Sequence, residues 1–147
     1  MKRSFAVLAC TLFASVSCAG GAEISGDRRV VGDATLAFTI APSRVEVGKS
    51  VRFALRVTNT GGPPEELRFA SGQLYDFWVT DGSKEIWRWS DDRRFAQGTQ
   101  ERSIPSQDSL TLEESWTSQG TGSLIAHGLL KAEGYDRELT GRLTVDG

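Results

Sequence analysis

The side chains that could do chemistry are few. The chain has a single histidine, His127, and two cysteines, Cys10 and Cys18. His127 falls out of phase with Leu124, Ala126 and Leu130, so it reads as a solvent-facing strand residue. Both cysteines lie close to the N-terminus, so a Cys–His nucleophile is not expected in the folded part. No Gly-x-Ser-x-Gly elbow occurs. The acidic pairs Glu65-Glu66, Asp91-Asp92 and Glu113-Glu114 could suggest paired carboxylates. Neighbours on a strand point to opposite faces, however, so Glu113 and Glu114 cannot share a site. The other two pairs sit in polar connections, where charge is solvated. Val47-Gly48-Lys49-Ser50 contains a Gly-Lys-Ser triplet, but a phosphate-cradling loop needs a further glycine at position 43, which is Ser43. Neither zinc-ligand spacing nor an Asp-rich calcium loop is present. The residues point away from catalysis and from any metal or cofactor, and toward binding.

The richest segment is 71–97. It holds Trp78, Trp87 and Trp89, three of the four tryptophans, together with Tyr75, Phe77 and Phe95. Such rings serve as core fillers or as interface anchors. Alternation cannot bury Tyr75, Phe77 and Trp78 on one face, and Ile86 and Trp87 should point apart. At least one of Trp78 and Trp87 is therefore expected on the face opposite its apolar neighbours, covered by a loop or partly exposed, where Arg88 or Arg93 could stack on the ring. Trp78, Trp87, Arg88 and Arg93 are the candidate binding residues. The polar stretch 90–108 is the candidate protruding loop.

The elements that must position these residues are strands. Short alternating apolar runs are broken by Gly, Pro, Asn and Asp, and no long 3.6-residue period is seen. Strands are expected at 35–40, 51–59, 67–70, 74–81, 85–90, 109–116, 123–132 and 137–145. The best is 51–59, with Val51, Phe53, Leu55 and Val57 on one face and Arg52, Arg56 and Thr58 on the other. About eight strands at this spacing predict an all-β, antiparallel sandwich. Its domain is expected over 34–147, after a linker at 23–33.

The first 22 residues read differently. Lys2 and Arg3 precede an uncharged apolar run from Phe5 to Val16, and small residues follow. This is the layout of a secretory leader. About a dozen apolar residues are too few to span a bilayer, which takes roughly 20. Cys18, preceded by Ser17 and followed by Ala19-Gly20-Gly21, also suits a lipoprotein-type cut and acylation. The expectation is export, secreted or lipid-anchored at the bacterial cell envelope, with membrane contact only through that lipid. The net charge is −2 at neutral pH, and acids and bases are interspersed. There is no basic stripe, which argues against nucleic-acid binding.

Four runs carry a resemblance. They are an Asn-ended strand (Asn59), Ser71-Gly72-Gln73-x-Tyr75-Asp76-Phe77, Trp87-Arg88-Trp89-Ser90 with Phe95 and Gln97, and a later strand ending in Trp116. In these the chain resembles the intracellular proteinase inhibitor family of BsuPI type, over roughly 50–145. The resemblance implies an immunoglobulin-like sandwich. It also implies a protein partner, a subtilisin-type serine protease, bound by a non-catalytic module. The alternative reading is an envelope structural or adhesion module that binds protein or glycan, with Trp78 or Trp87 stacking on sugar.

Overall fold

Turn chemistry sets the first hairpin. Strand β1 (Ser25–Val31) meets β2 (Ala34–Ala41) through Gly32-Asp33, with Gly32 at φ 57°, a left-handed conformation that glycine adopts without a Cβ clash. The computed structural model describes residues 23–147. The leader and Cys18 lie outside the described residues.

The chain continues through β3 (Arg44–Glu46), β4 (Ser50–Asn59), β5 (Glu65–Ser71), β6 (Tyr75–Asp81), β7 (Lys84–Arg88), β8 (Gln97–Ile104), β9 (Ser109–Thr117), β10 (Gly122–Leu130) and β11 (Leu139–Asp146). One sheet has the order β1-β2-β4-β9 and the facing sheet β3-β11-β10-β6-β7, while β5 and β8 form a separate ribbon. The fold is the expected all-β, immunoglobulin-like sandwich.

The alternating runs build its core. In β4, Val51, Phe53, Leu55 and Val57 are buried, while Arg52 and Arg56 are exposed. Phe38 of β2 meets Phe77 of β6 across the gap at 6.0 Å, and Phe53 meets Phe77 at 5.9 Å. Each fully buried ring contributes about 2–3 kcal/mol of transfer free energy. Gly128 is what lets Phe38 lie there: a Cβ on it would sit 2.9 Å from the ring.

Three strands exceed the expected eight. β1 occupies part of the expected linker, and β8 occupies much of the expected 90–108 loop. Both are edge elements whose residues are mostly exposed, so neither shows an apolar alternation. β3 is three residues long and buries only Val45. It pairs parallel to β11, so the sandwich is not wholly antiparallel. Asn59 ties the end of β4 to the ribbon. Its Nδ2 donates to the carbonyls of Pro63 (2.8 Å) and Ile104 (3.0 Å), and its Oδ1 accepts from the Gly61 N–H. A fully buried amide is kept there because each of these bonds is made.

Candidate functional site

The β6–β7 hairpin carries the site, and a bulge shapes it. Trp78 pairs with Arg88 and Val79 with Trp87, but Thr80 pairs with Glu85. Ile86 is the extra residue. A bulge opposes two residues to one, which breaks the two-residue period. Ile86 and Trp87 therefore both pack against the core rather than pointing apart. Trp87 lies 5.9 Å from Phe53 and 6.0 Å from Trp116.

Trp78 takes the outer face of the five-stranded sheet, as one of the two rings was expected to do. Its flanking strands fill both of its sides. The Arg88 guanidinium stands 4.3 Å from the ring centre, and the His127 ring stacks parallel at 4.9 Å. Trp78 therefore leaves neither face open for a sugar.

Arg88 is held by charge. It donates to Asp76 at 2.7 Å and to Glu85 at 2.7 Å. Asp76 is buried and also accepts from the Ser90 hydroxyl (2.8 Å) and the Phe77 N–H (3.0 Å). Burial works against the Arg88 charge, but the two carboxylates outweigh it and hold its pKa above the usual value.

His127 stands on the outer face, as its phase predicts, but Trp78 covers it in place of solvent. Its side chain is 14% exposed, and its Nε2 lies 2.8 Å from the Thr80 hydroxyl. Nδ1 is 3.4 Å from Glu138 without forming a hydrogen bond. Burial lowers the His127 pKa, and Glu138 only partly opposes it. The Thr–His–Glu order has the outline of a nucleophilic relay. It lies on a strand face under Trp78, however, where the stacked ring covers the imidazole rather than a substrate.

Beyond β7 the chain forms a short pinned loop. Trp89 stacks on Tyr75 at 4.6 Å and meets Phe95 at 5.6 Å. Arg93 lies over Trp89 at 4.6 Å, and its Nε donates to the Trp89 carbonyl at 3.0 Å. The backbone is tied at both ends, by Trp89 N–H to the Phe77 carbonyl and by Gly72 N–H to the Ala96 carbonyl, each at 2.9 Å. The Tyr75 hydroxyl donates to Glu114 of β9, joining the two sheets under the loop. Burial, with help from that carboxylate, raises the pKa of the Tyr75 hydroxyl. Asp91, Asp92 and Arg94 are exposed.

Between β7 and β9, the adjacent edge strands of the two sheets, runs an open groove of about 580 Å³. Trp87, Arg88 and Arg93 line it together with Trp89, Asp92 and Ser115. Three of the four expected binding residues are thus brought together, and Trp78 is left out. Sequence reasoning passed over Trp89 and Asp76 as site residues. Their signal was their place inside the two specific runs, which interlock here as Tyr75 on Trp89 and Asp76 on Arg88 and Ser90. Among the described residues no group of three metal-ligating side chains is gathered.

Residues 38–135 match the family described as BsuPI, intracellular proteinase inhibitor. No curated relative matches the chain. Among solved structures, the sporulation control protein Spo0M from Bacillus subtilis is similar at TM-score 0.49 and 14% identity, with 80% of this chain and 51% of that one covered. A CARDB domain from Pyrococcus furiosus, in complex with di-metal ions, gives 0.41 and 17%, covering 82% and 93%. The Pseudomonas fluorescens alkylpurine DNA glycosylase AlkC, bound to DNA containing an abasic site analog, gives 0.42 and 10%, covering 74% and 28%. The chain thus spans little more than a quarter of that glycosylase.

One expectation is corrected by the family match. The family is described as intracellular, which points to the cytoplasm and overturns the exported, secreted or lipid-anchored localisation. The leader reading rested on composition over about a dozen apolar residues. Such a run is equally suited to burial against protein, and composition cannot distinguish the two fates.

Proposed function

Because this chain belongs to the BsuPI family of intracellular proteinase inhibitors, we propose that it binds a subtilisin-type serine protease non-covalently and blocks its cleft, without catalysis of its own. The contact surface is the Ser90–Ala96 loop with the groove beside it. One observation carries this reading: Arg93 stacks on Trp89 and bonds its carbonyl, and Trp89 in turn stacks on the Tyr75 ring, pinning the loop to the sandwich. Ordering one backbone residue costs about 1–2 kcal/mol. A loop already ordered before contact spares the complex most of that cost, and this is how a rigid insert gains affinity. The exposed Asp91, Asp92 and Arg94 then supply side chains for recognition.

The test is inhibition of a purified subtilisin-type serine protease by the intact chain, with a cysteine protease and a metalloprotease in parallel. Saturable inhibition of the serine enzyme alone, with the chain uncut, is the expected result. Absence of slowing at micromolar chain, or digestion of the chain at an undiminished rate, would overturn it.

A further inference from the structure

The outward face of the four-stranded sheet carries a different feature. Strand register sets Arg28 of β1, Ala37 of β2 and Arg56 of β4 in one row across the sheet. Adjacent strands lie about 4.8 Å apart, so the two arginines are rooted about 10 Å apart with only a methyl group between them. In the next row Thr35 pairs with Thr58. The result is a cleft of about 260 Å³ lined by Arg28, Ala37, Arg56, Thr35, Thr58 and Thr60, with no carboxylate in its lining.

Among the described residues, four arginines have acidic partners. Arg44 pairs with Asp146, Arg52 with Glu113, Arg68 with Glu101 and Arg88 with Asp76. Among the described residues, neither the Arg28 nor the Arg56 guanidinium has a carboxylate within 4.0 Å, and the neighbouring Asp27 carboxylate accepts from the Arg28 backbone N–H at 2.8 Å instead. The outward carboxylate of β9, Glu113, is 4.0 Å from Arg52 instead. Two like charges facing each other over a small residue repel, and an anion between them removes that cost. The hydroxyls differ in what they can offer. Thr60 donates to the Asp33 carbonyl and Thr58 shares a hydrogen bond with Ser109. Thr35 has no side-chain hydrogen bond among the described residues and is the free donor.

We propose that this cleft binds a phosphoryl group, with Arg28 and Arg56 clamping its oxygens and the Thr35 hydroxyl donating to a third. Two planar forks and a hydroxyl match a tetrahedral, multiply charged oxyanion better than a single carboxylate. The site shares no lining residue with the groove beside β9, so it stands or falls independently of protease binding.

The experiment is calorimetric titration of the full chain with inorganic phosphate at constant ionic strength, repeated with phosphoserine as the free amino acid. Saturable binding in the millimolar range is expected. Removing one charged clamp, in R28Q or R56Q, should weaken binding about tenfold, the equivalent of about 1.4 kcal/mol. A37L should abolish it by filling the floor. All three changes sit at exposed or half-exposed positions, and circular dichroism would verify that each variant is folded. Tighter binding of phosphoserine than of inorganic phosphate supports a phosphomonoester as the ligand, and the reverse order supports the free ion. No saturable heat above the chloride control, or unchanged affinity in R56Q, would overturn the proposal.

Discussion

Arg93 closes on Trp89 twice: its guanidinium lies 4.6 Å from the ring centre, and its Nε–H reaches the carbonyl of the same residue at 3.0 Å. The side chain therefore staples the five-residue segment from Trp89 to Arg93, and the stapled ring rests on Tyr75. R93A keeps the backbone but frees the loop. An exposed cation–π contact is worth about 0.5–1 kcal/mol, so the melting temperature should barely move. The inhibition constant should rise by about two- to fivefold, the equivalent of that contact, because the freed loop must be ordered on binding. An unchanged constant in R93A would separate the loop from the inhibitory surface.

Asp76 is the charged centre behind that loop. D76A would leave Arg88 and Ser90 without their shared acceptor and the Phe77 N–H without its bond. Removing one partner of a buried pair costs about 3–5 kcal/mol. Arg88 keeps Glu85 and is partly solvated, so about 2–3 kcal/mol is expected here. A urea denaturation series would show it as a lowered midpoint with an unchanged slope.

Two glycines face the core where another side chain fills their space. A Cβ on Gly141 would lie 2.5 Å from Ile40 Cδ1, the tip of a flexible chain. G141A should cost about 1–3 kcal/mol by overpacking. Ile40→Val removes the clashing atom, so the double variant should be more stable than the sum of the single changes predicts. G128A meets the rigid Phe38 ring instead, and no such rescue is available from Ile40→Val. Thermal unfolding of the four variants would give the coupling energy.

His127 should make stability depend on pH. Burial lowers its folded pKa below the ordinary value, so the unfolded chain binds the proton more readily. The contribution is present in full above about pH 6.5, the unperturbed value, and is lost as pH falls through the lower folded pKa. H127Q does not titrate. The stability gap between the wild-type chain and H127Q should shrink from pH 7.5 to pH 5. A gap that widened toward low pH would show that the Glu138 pairing outweighs burial.

Much of this was visible in particular residues. Val51, Phe53, Leu55 and Val57 announced β4 and its buried face. The phase of Tyr75, Phe77 and Val79 put Trp78 on the opposite face of its strand. The bulge at Ile86 was not visible, because a two-residue period is all that a run such as Glu85–Trp89 displays. Strands β1 and β8 were hidden for a related reason: an edge strand with little buried surface needs no apolar alternation.

From its sequence alone this protein is an all-β sandwich with aromatic runs at 75–78 and 87–89, since side-chain phase and turn residues are local properties. Which residues meet was decided by strand register and loop closure. The Tyr75–Trp89 stack, the Asp76–Arg88 pair across the hairpin, and the Arg28–Ala37–Arg56 row all depend on which backbone groups pair across the sheets. Those pairings are chosen by burial summed over the whole core, and no local stretch of residues records that sum.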